Sequence, residues 1–367
     1  MKMCRHEILA AAVVLTSLLS GPVFAQDAGV YGVARPMFAV LPPHGGNNEA
    51  VLPATQLPQW TFSFTYGGTT YNDVMIGTNP ASTNSTTVLQ WGIIPIKMVY
   101  GTGNGNTTFD PKSIYSGNMT AIQEVANSPL FRALVDYVQG GTDLGTTQYG
   151  DAYVRGDFWQ DVQVNTNYHL KFGKRMLFAE QTLTVPVGLG HVISNPWSGV
   201  PTGTANINWF DLQLQALITK LKIQPNVLPL FLTYNVYLTS GGCCIGGYHS
   251  ALAGPPSGQT YAFTTTVSQS TVPVFSQDIG AASHEIGEWI MDPFGSNNSP
   301  CGVMENGDPL ETEPNFGDFP YTVNGFTYHP QDLVFVDYFG ASTSLPVNGW
   351  YTFQNETNAN SVCSRGA

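Results

Sequence analysis

The stretch DIGAASHEIGEWIMDP, residues 278–293, has the most informative pattern in this chain. Its apolar residues Ile279, Ala282 and Ile286 recur at helical spacing, which predicts a helix with one buried face. The proline that follows Asp292 disfavours helical geometry at the residue before it, so the helix is expected to end there. The stretch therefore predicts a helix with a defined end in the carboxy-terminal half of an α+β protein.

The polar residues of this helix are typical of a metal site. His284 and Glu288 lie at positions i and i+4, on one face, where both can reach the same ion. The pattern is similar to the His-Glu-x-x-His helix of zinc peptidases, in which the intervening glutamate accepts a proton from water. Glu285 holds that position here, and Glu288 replaces the second histidine. The alternative is a structural helix with a hydrogen-bonded His284 and solvated carboxylates.

A zinc site needs a further ligand from outside the helix. The segment CGVMENGDP, residues 301–309, offers Glu305 first and Asp308 second, at a distance similar to that in peptidases whose third ligand is a later glutamate. Asp292 is another candidate, although its position also suits a residue that only orients or terminates the helix. An acidic surface loop that binds calcium is the alternative for Glu305 and Asp308.

A second histidine is interesting because it follows two cysteines and two glycines. The segment CCIGGYHSA, residues 243–251, contains Tyr248 and His249. Either side chain could donate a hydrogen bond to an oxyanion, and His249 could also bind metal. A structural role of His249 in its loop is the favoured alternative.

The amino terminus has the features of a secretory signal peptide, residues 1–25. Basic residues precede an apolar run from about Ile8 to Leu19, and Ala25 offers a cleavage site. The run is shorter than the ~20 residues that a membrane-spanning helix needs. We expect a secreted or periplasmic protein that has no membrane contact after cleavage.

The composition excludes some classes of partner. The formal net charge is −12, and 10% of the residues are charged. An acidic surface repels phosphate backbones, so nucleic acid is not an expected partner. An exported chain with four cysteines after residue 25 is expected to form two disulfides. Because a bridge between neighbours is strained, the favoured pairing joins Cys243 and Cys244 each to one of Cys301 and Cys363.

The remaining sequence predicts a mixed order of helices and strands. Residues 26–86 form a β-rich segment or arm, in which Trp60–Tyr66 alternates as a strand does. A strongly apolar strand, Thr87–Tyr100, opens a domain that spans residues 87–367. Further predicted helices are 119–139, broken near Ser128, 150–162 and 209–221, and further strands are 176–187 and 227–238. Their order favours an α+β architecture.

The carboxy-terminal half, residues 225–365, resembles the Exordium or phosphate-induced family of secreted proteins. The resemblance rests on the cysteine pair before His249, on HEIGE followed by Asp292-Pro293, and on the segment ENGD, residues 305–308. It implies a zincin-like core with a mixed sheet and a metal-site helix. It also implies that His284, Glu288 and a downstream acidic residue bind the metal, with Glu285 as the base.

These observations predict a secreted zinc-dependent hydrolase, most simply an endopeptidase with protein or peptide substrates. The alternative is a non-catalytic extracellular or cell-wall-associated protein that binds carbohydrate and keeps a zinc or calcium ion for stability. A glycosidase with two opposed carboxylates is a third hypothesis, which no helix or strand motif favours.

Overall fold

The computed structural model describes residues 37–43, 56–139, 141–195, 199–267, 278–312, 316–344, 352–353 and 362–363. The predicted signal peptide lies outside these ranges. Within them, none of the helices is both long enough and apolar enough to span a bilayer.

Helices cover a smaller part of the described chain than strands do. The α-helices are α1 Ala121–Asn127, α2 Tyr149–Asp157, α3 Trp159–Val162, α4 Ile207–Leu221 and α5 Gly280–Met291, and 3₁₀ helices span Asp308–Thr312 and Val336–Phe339. The strands are β1 Met37–Val40, β2 Gln59–Tyr66, β3 Thr69–Ile76, β4 Thr86–Tyr100, β5 Thr107–Phe109, β6 Ile114–Ser116, β7 Met119–Thr120, β8 Val135–Gln139, β9 Thr142–Thr147, β10 His169–Phe172, β11 Met176–Leu177, β12 Gln181–Val185, β13 Val192–Ser194, β14 Pro201–Asn206, β15 Val227–Tyr234, β16 Val236–Thr239, β17 Cys243–Ala251, β18 Thr260–Thr266, β19 Asn298–Ser299, β20 Gly302–Val303, β21 Tyr321–Val323 and β22 Phe326–Tyr328.

A large mixed sheet organises these elements. Its strands follow the order β10-β4-β15-β18-β17-β16-β14-β13; in addition, β1 pairs with β17, and β5, β11 and β12 pair with β4. β4 and β15 are parallel, as are β15 and β18, whereas β17 is antiparallel to β18 and β16 and parallel to β1. A mixed sheet with few helices confirms the predicted α+β class.

The central strands bury side chains on both faces of the sheet. In β15, Leu230 and Leu232 belong to the core that contains α5, whereas Phe231 between them belongs to the core that contains α4. Successive side chains of a strand point to opposite faces, so α5 and α4 cover opposite faces of the sheet. This arrangement buries α5 completely.

Helix α5 confirms the prediction made from residues 278–293. All twelve of its residues, Gly280–Met291, are buried. Asp292 leaves helical geometry at φ −139° and ψ 68°, and its N–H still donates to the carbonyl of Glu288. The proline after Asp292 explains this end, because the residue before a proline avoids the helical region.

Several predicted elements are interrupted in the structure, and the strand predicted over 176–187 forms two strands, β11 and β12. The helix predicted over 119–139 stops at Asn127, because Ser128 is extended before Pro129, and the apolar residues from Val135 onward pair as β8 with β9. The strand predicted over 227–238 is interrupted at Asn235, which has φ 51°. Left-handed backbone cannot continue a strand, so the chain resumes as β16.

Two disulfides are present, as predicted, but the predicted pairing is wrong. Cys243 is bonded to Cys244, and Cys301 to Cys363. Cys244 is buried in a small cluster with Tyr237 and Val267, whereas the N–H of Cys363 donates to the carbonyl of Tyr338 and Sγ of Cys301 lies 3.6 Å from the same oxygen. The fold therefore places Cys243 and Cys244 in different surroundings from Cys301 and Cys363, and the expected bridges between the two pairs do not form.

Candidate metal centre

The centre forms where helix α5 packs against strand β17. His249 of β17 is fully buried, and its Nδ1 lies 3.2 Å from Oε2 of Glu285 on α5. The helix can approach this closely because Gly247 has no side chain. A Cβ at that position would lie 2.6 Å from Cγ of Glu285. The glycines before His249 thus bring the strand and the helix together.

A buried glutamine fixes the imidazole of His284. Nδ1 of His284 lies 2.5 Å from Oε1 of Gln331, whose Nε2 donates to the carbonyl of Gly307. Since Oε1 can only accept, Nδ1 of the neutral imidazole carries the proton and Nε2 keeps its lone pair. That Nε2 faces Oε1 of Glu288 at 2.9 Å. His284 and Glu288 therefore converge, as their spacing predicted.

The acidic loop after β20 closes the centre from the other side. The N–H of Gly307 donates to Oε1 of Glu288 over 3.1 Å. Oδ1 of Asp308 lies 3.7 Å from Nε2 of His284, and Oε2 of Glu305 lies 3.9 Å from Nε2 of His249. Both acidic residues thus border the centre. Asp308 is beside His284, whereas Glu305, which the sequence favoured, is beside His249.

Within the described ranges, the donor atoms form two groups of possible ligands. One comprises His249, Glu285 and Glu288, and the other comprises His284, Asp308 and Glu311; within each group the donor atoms lie within 4.8 Å of one another. Sequence reasoning missed Glu311 and Gln331. Glu311 has a local signal, since it follows Asp308 by three residues in a 3₁₀ helix, where i and i+3 share a face.

Burial controls the protonation of the centre. Desolvation lowers the pKa of His249 to about 3 and that of His284 to about 4, so both imidazoles are neutral at pH 7 and can act as ligands. Desolvation also raises the pKa of Glu285, Glu288 and Glu305 well above the usual range. A cation would favour the ionised form of these carboxyls and offset their burial.

Two candidates from the sequence do not point into the centre. The hydroxyl of Tyr248 donates to Asp211 of α4 over 2.9 Å, so it lies on the opposite face of the sheet from His249. The carboxylate of Asp292 accepts the N–H groups of Ser296 and Asn297 and is absent from both ligand groups of the described residues. The structure therefore does not bring the hydroxyl of Tyr248 to the centre as an oxyanion donor, and it does not bring the carboxylate of Asp292 there as a ligand.

Asp292 nevertheless orients the centre through its backbone. Its carbonyl oxygen lies 2.9 Å from Nε2 of His249 and accepts a hydrogen bond from that nitrogen. Nδ1 of His249 is consequently the nitrogen that is free to bind. Each buried histidine of the centre thus has one ring nitrogen committed to an outer partner and the other directed inward.

Strand β1 covers part of the centre. It runs parallel to β17, with Phe38 opposite Gly247 and Val40 opposite His249. The ring of Phe38 stacks on the imidazole of His284 at 3.8 Å between centroids. Beside this contact is a cavity of about 280 Å³. Its walls are formed by Phe38, Ala39, Val40, Cys301, Gly302, Val303, Glu305 and Asp308.

Comparison of the chain with known protein families, with characterised proteins and with solved structures finds no match. The functional argument therefore depends on the geometry of the centre.

Proposed function

We propose that this protein is a secreted metal-dependent hydrolase, a zinc metallopeptidase with a zincin-like core. The observation that carries the proposal is the convergence of His284 Nε2 with Glu288 Oε1 at 2.9 Å and Asp308 Oδ1 at 3.7 Å. A tetrahedral zinc ion with bonds of about 2.0–2.1 Å separates its ligand atoms by roughly 3.3 Å. The distances of Glu288 and Asp308 from Nε2 lie on either side of that value, and Asp308 and Glu311 form one ligand group with His284, which supports zinc as the ion.

Zinc held there would supply a Lewis acid that polarises a substrate carbonyl and acidifies water. The protein's own contribution to proton transfer is Glu285, which is fully buried and whose Oε1 has no hydrogen-bond partner in the part of the chain that the structure describes. In the ionised state Glu285 accepts a proton from water and returns it to the leaving amine. When Glu285 is protonated, its Oε2 donates to Nδ1 of His249 over 3.2 Å, which positions the carboxyl before it loses that proton.

The surroundings of the centre favour a peptide as the substrate. Strand β1 is itself an extended segment that lies along β17, and the N–H of Leu41 donates to the carbonyl of His249. Backbone pairing is a common way in which proteins bind extended peptides, and because β1 occupies this edge of β17, a substrate would lie beside β1 at the cavity. The cavity beside Phe38 would accept an apolar side chain of the substrate.

Secretion is part of this proposal and has two supports. The sequence begins with the features of a signal peptide, and the described residues contain two disulfides. Disulfides persist in oxidising compartments outside the cytosol. The resemblance to the Exordium family, which rests on the same residues as the centre, agrees with an exported protein.

The second candidate is an extracellular binding or structural protein that keeps a metal ion for stability. The position of Phe38 favours it, because a ring stacked on His284 at 3.8 Å restricts access to that side of the centre. In this case the ion would stabilise the fold without turnover.

The two functions are separated by turnover of the purified mature protein, measured on a peptide library by mass spectrometry. We expect cleavage in the zinc-loaded parent, none in Glu285→Gln, and retained zinc in that variant. Glu124→Gln is the matched control, because Glu124 is equally buried outside the centre and its pKa of about 9 makes it neutral at pH 7. A zinc-loaded parent without cleavage, or an active Glu285→Gln variant, would overturn the proposed mechanism.

A further inference from the structure

We propose that the centre holds two divalent cations bridged by the carboxylate of Glu288. This inference rests on the metal site of the proposed function, and it does not require hydrolysis.

The first argument is the direction of the two buried histidines. His284 is committed through Nδ1 to Gln331, and His249 is committed through Nε2 to the carbonyl of Asp292. Their remaining nitrogens face different oxygens of the same carboxylate. His284 Nε2 lies 2.9 Å from Oε1 of Glu288, and His249 Nδ1 lies 3.9 Å from Oε2. Glu288 therefore separates two nitrogen donors and can bind one ion with each oxygen.

The second argument is that each of the two histidines, on either side of Glu288, has additional donor atoms beside it. Asp308 and Glu311 converge with His284, whereas Glu285 converges with His249 and Glu288. On the His249 side, the distances from Nδ1 to Glu285 and to Glu288 are 3.2 Å and 3.9 Å. These values are close to the roughly 3.3 Å between ligands of a tetrahedral ion. Each side thus has a nitrogen and carboxylate oxygens of its own.

The third argument is charge. Glu285, Glu288 and Glu305 are buried together, and Oε1 of Glu285 has no hydrogen-bond partner among the described residues. With Asp308 and Glu311 the centre has five carboxylates when all are ionised. Buried carboxylates need compensation by partners or metal, so a cation beside each of the two ligand groups suits this site.

Two ions in such a site lie roughly 3.5–4 Å apart and can bind both the attacking and the leaving atom of a substrate. Oε1 of Glu285 would remain available for proton transfer, because only Oε2 faces His249.

The test is the metal content of purified protein that has been stripped with a chelator and reloaded with ZnCl₂. We expect two equivalents in the parent and in His191→Ala, an exposed histidine outside the centre. His284→Ala and His249→Ala should each retain one equivalent. One equivalent or none in the parent overturns the inference, as does complete loss of zinc in a His249→Ala variant that circular dichroism shows to be folded.

A second measurement avoids substitutions altogether. The parent loaded with MnCl₂ should give the exchange-coupled electron paramagnetic resonance spectrum of a carboxylate-bridged pair. The hyperfine-split spectrum of isolated Mn²⁺ at full loading would overturn the inference. Two ions without peptide cleavage would contradict the proposed function alone, and one ion with cleavage would contradict this inference alone.

Discussion

His284 and Gln331 are joined side chain to side chain, with Nδ1 of the imidazole 2.5 Å from Oε1 of the amide. The same amide donates from Nε2 to the carbonyl of Gly307, two residues after Glu305. Gln331 therefore couples the orientation of His284 to the position of the loop that carries Glu305 and Asp308. Partners of this kind fix the tautomer of a metal-binding histidine and increase its affinity for the ion.

Replacing Gln331 with leucine should weaken zinc binding by about 10–100-fold, the usual effect of removing such a partner. The measurement is a competition titration with a chromogenic chelator. Gln259→Leu is the control, since it removes a buried amide that bonds only to the backbone at Val227 and Thr260. Equal losses of affinity in the two variants would show that Gln331 acts only through stability.

Gly307→Ala should also reduce zinc binding. A Cβ at Gly307 would overlap the imidazole of His284, so the loop would have to move away from the helix. Overpacking of this kind typically costs about 1–3 kcal/mol. Gly254→Ala is a matched substitution with no atom within 4 Å of the added Cβ. Elemental analysis and thermal unfolding of both variants test this. A Gly307→Ala variant with the parent's zinc content would contradict the expected displacement of the loop.

Zinc binding should release protons at pH 7 and tighten as the pH rises. In the metal-free fold, burial raises the pKa of Glu285, Glu288 and Glu305 well above 4.5, so these carboxyls hold protons that a cation must displace. Isothermal titration in buffers with different heats of ionisation measures the number released. Binding heats that do not depend on the buffer would contradict the expectation.

The same shifts predict the pH dependence of metal-free stability. Raised carboxyl pKa values destabilise the fold as the pH rises above 4.5, because the unfolded chain ionises first. The lowered pKa values of His249 and His284, about 3 and about 4, destabilise it as the pH falls below 6.5, because the unfolded chain is protonated first. We therefore expect zinc to raise the melting temperature more at pH 8 than at pH 5.

Phe38→Ala should expose His284. Phe38 is only 6% exposed, and truncating a buried phenylalanine costs about 3–5 kcal/mol. Because the ring covers the imidazole, a chelator such as EDTA should also remove zinc faster from this variant. Phe62→Ala removes a similarly buried ring from the β2–β3 hairpin. If both variants lost zinc at the same rate, the effect would reflect general loosening and not uncovering of the site.

The two disulfides should differ in their contribution to stability. Cys301–Cys363 closes a loop of 62 residues, whereas Cys243 and Cys244 are neighbours. Loss of loop-closure entropy in the unfolded chain predicts about 4 kcal/mol for the long loop. Urea unfolding of the double serine variants tests the difference. A larger loss in the Cys243→Ser/Cys244→Ser protein would contradict the entropic explanation.

The sequence alone determined the features that depend on neighbours along the chain. The period of Ile279, Ala282 and Ile286, together with Pro293, predicted helix α5 and its end, and helical geometry placed His284 and Glu288 together. The alternation in Trp60–Tyr66 likewise predicted β2. Backbone periodicity and the restriction before proline act within a few residues, so such features can be read locally.

Only the tertiary structure decided which distant residues complete the centre. Gln331 is 47 positions from His284, and β1 reaches the site by pairing with a strand about 200 residues away. Whether Tyr248 or His249 faces α5 depends on which face of β17 the helix covers, since neighbours on a strand point to opposite faces. The disulfide pairing was likewise set by the positions of Cys301 and Cys363 beside Tyr338. These relationships follow from how the helix, the sheet and the loops pack, and no local pattern encodes them.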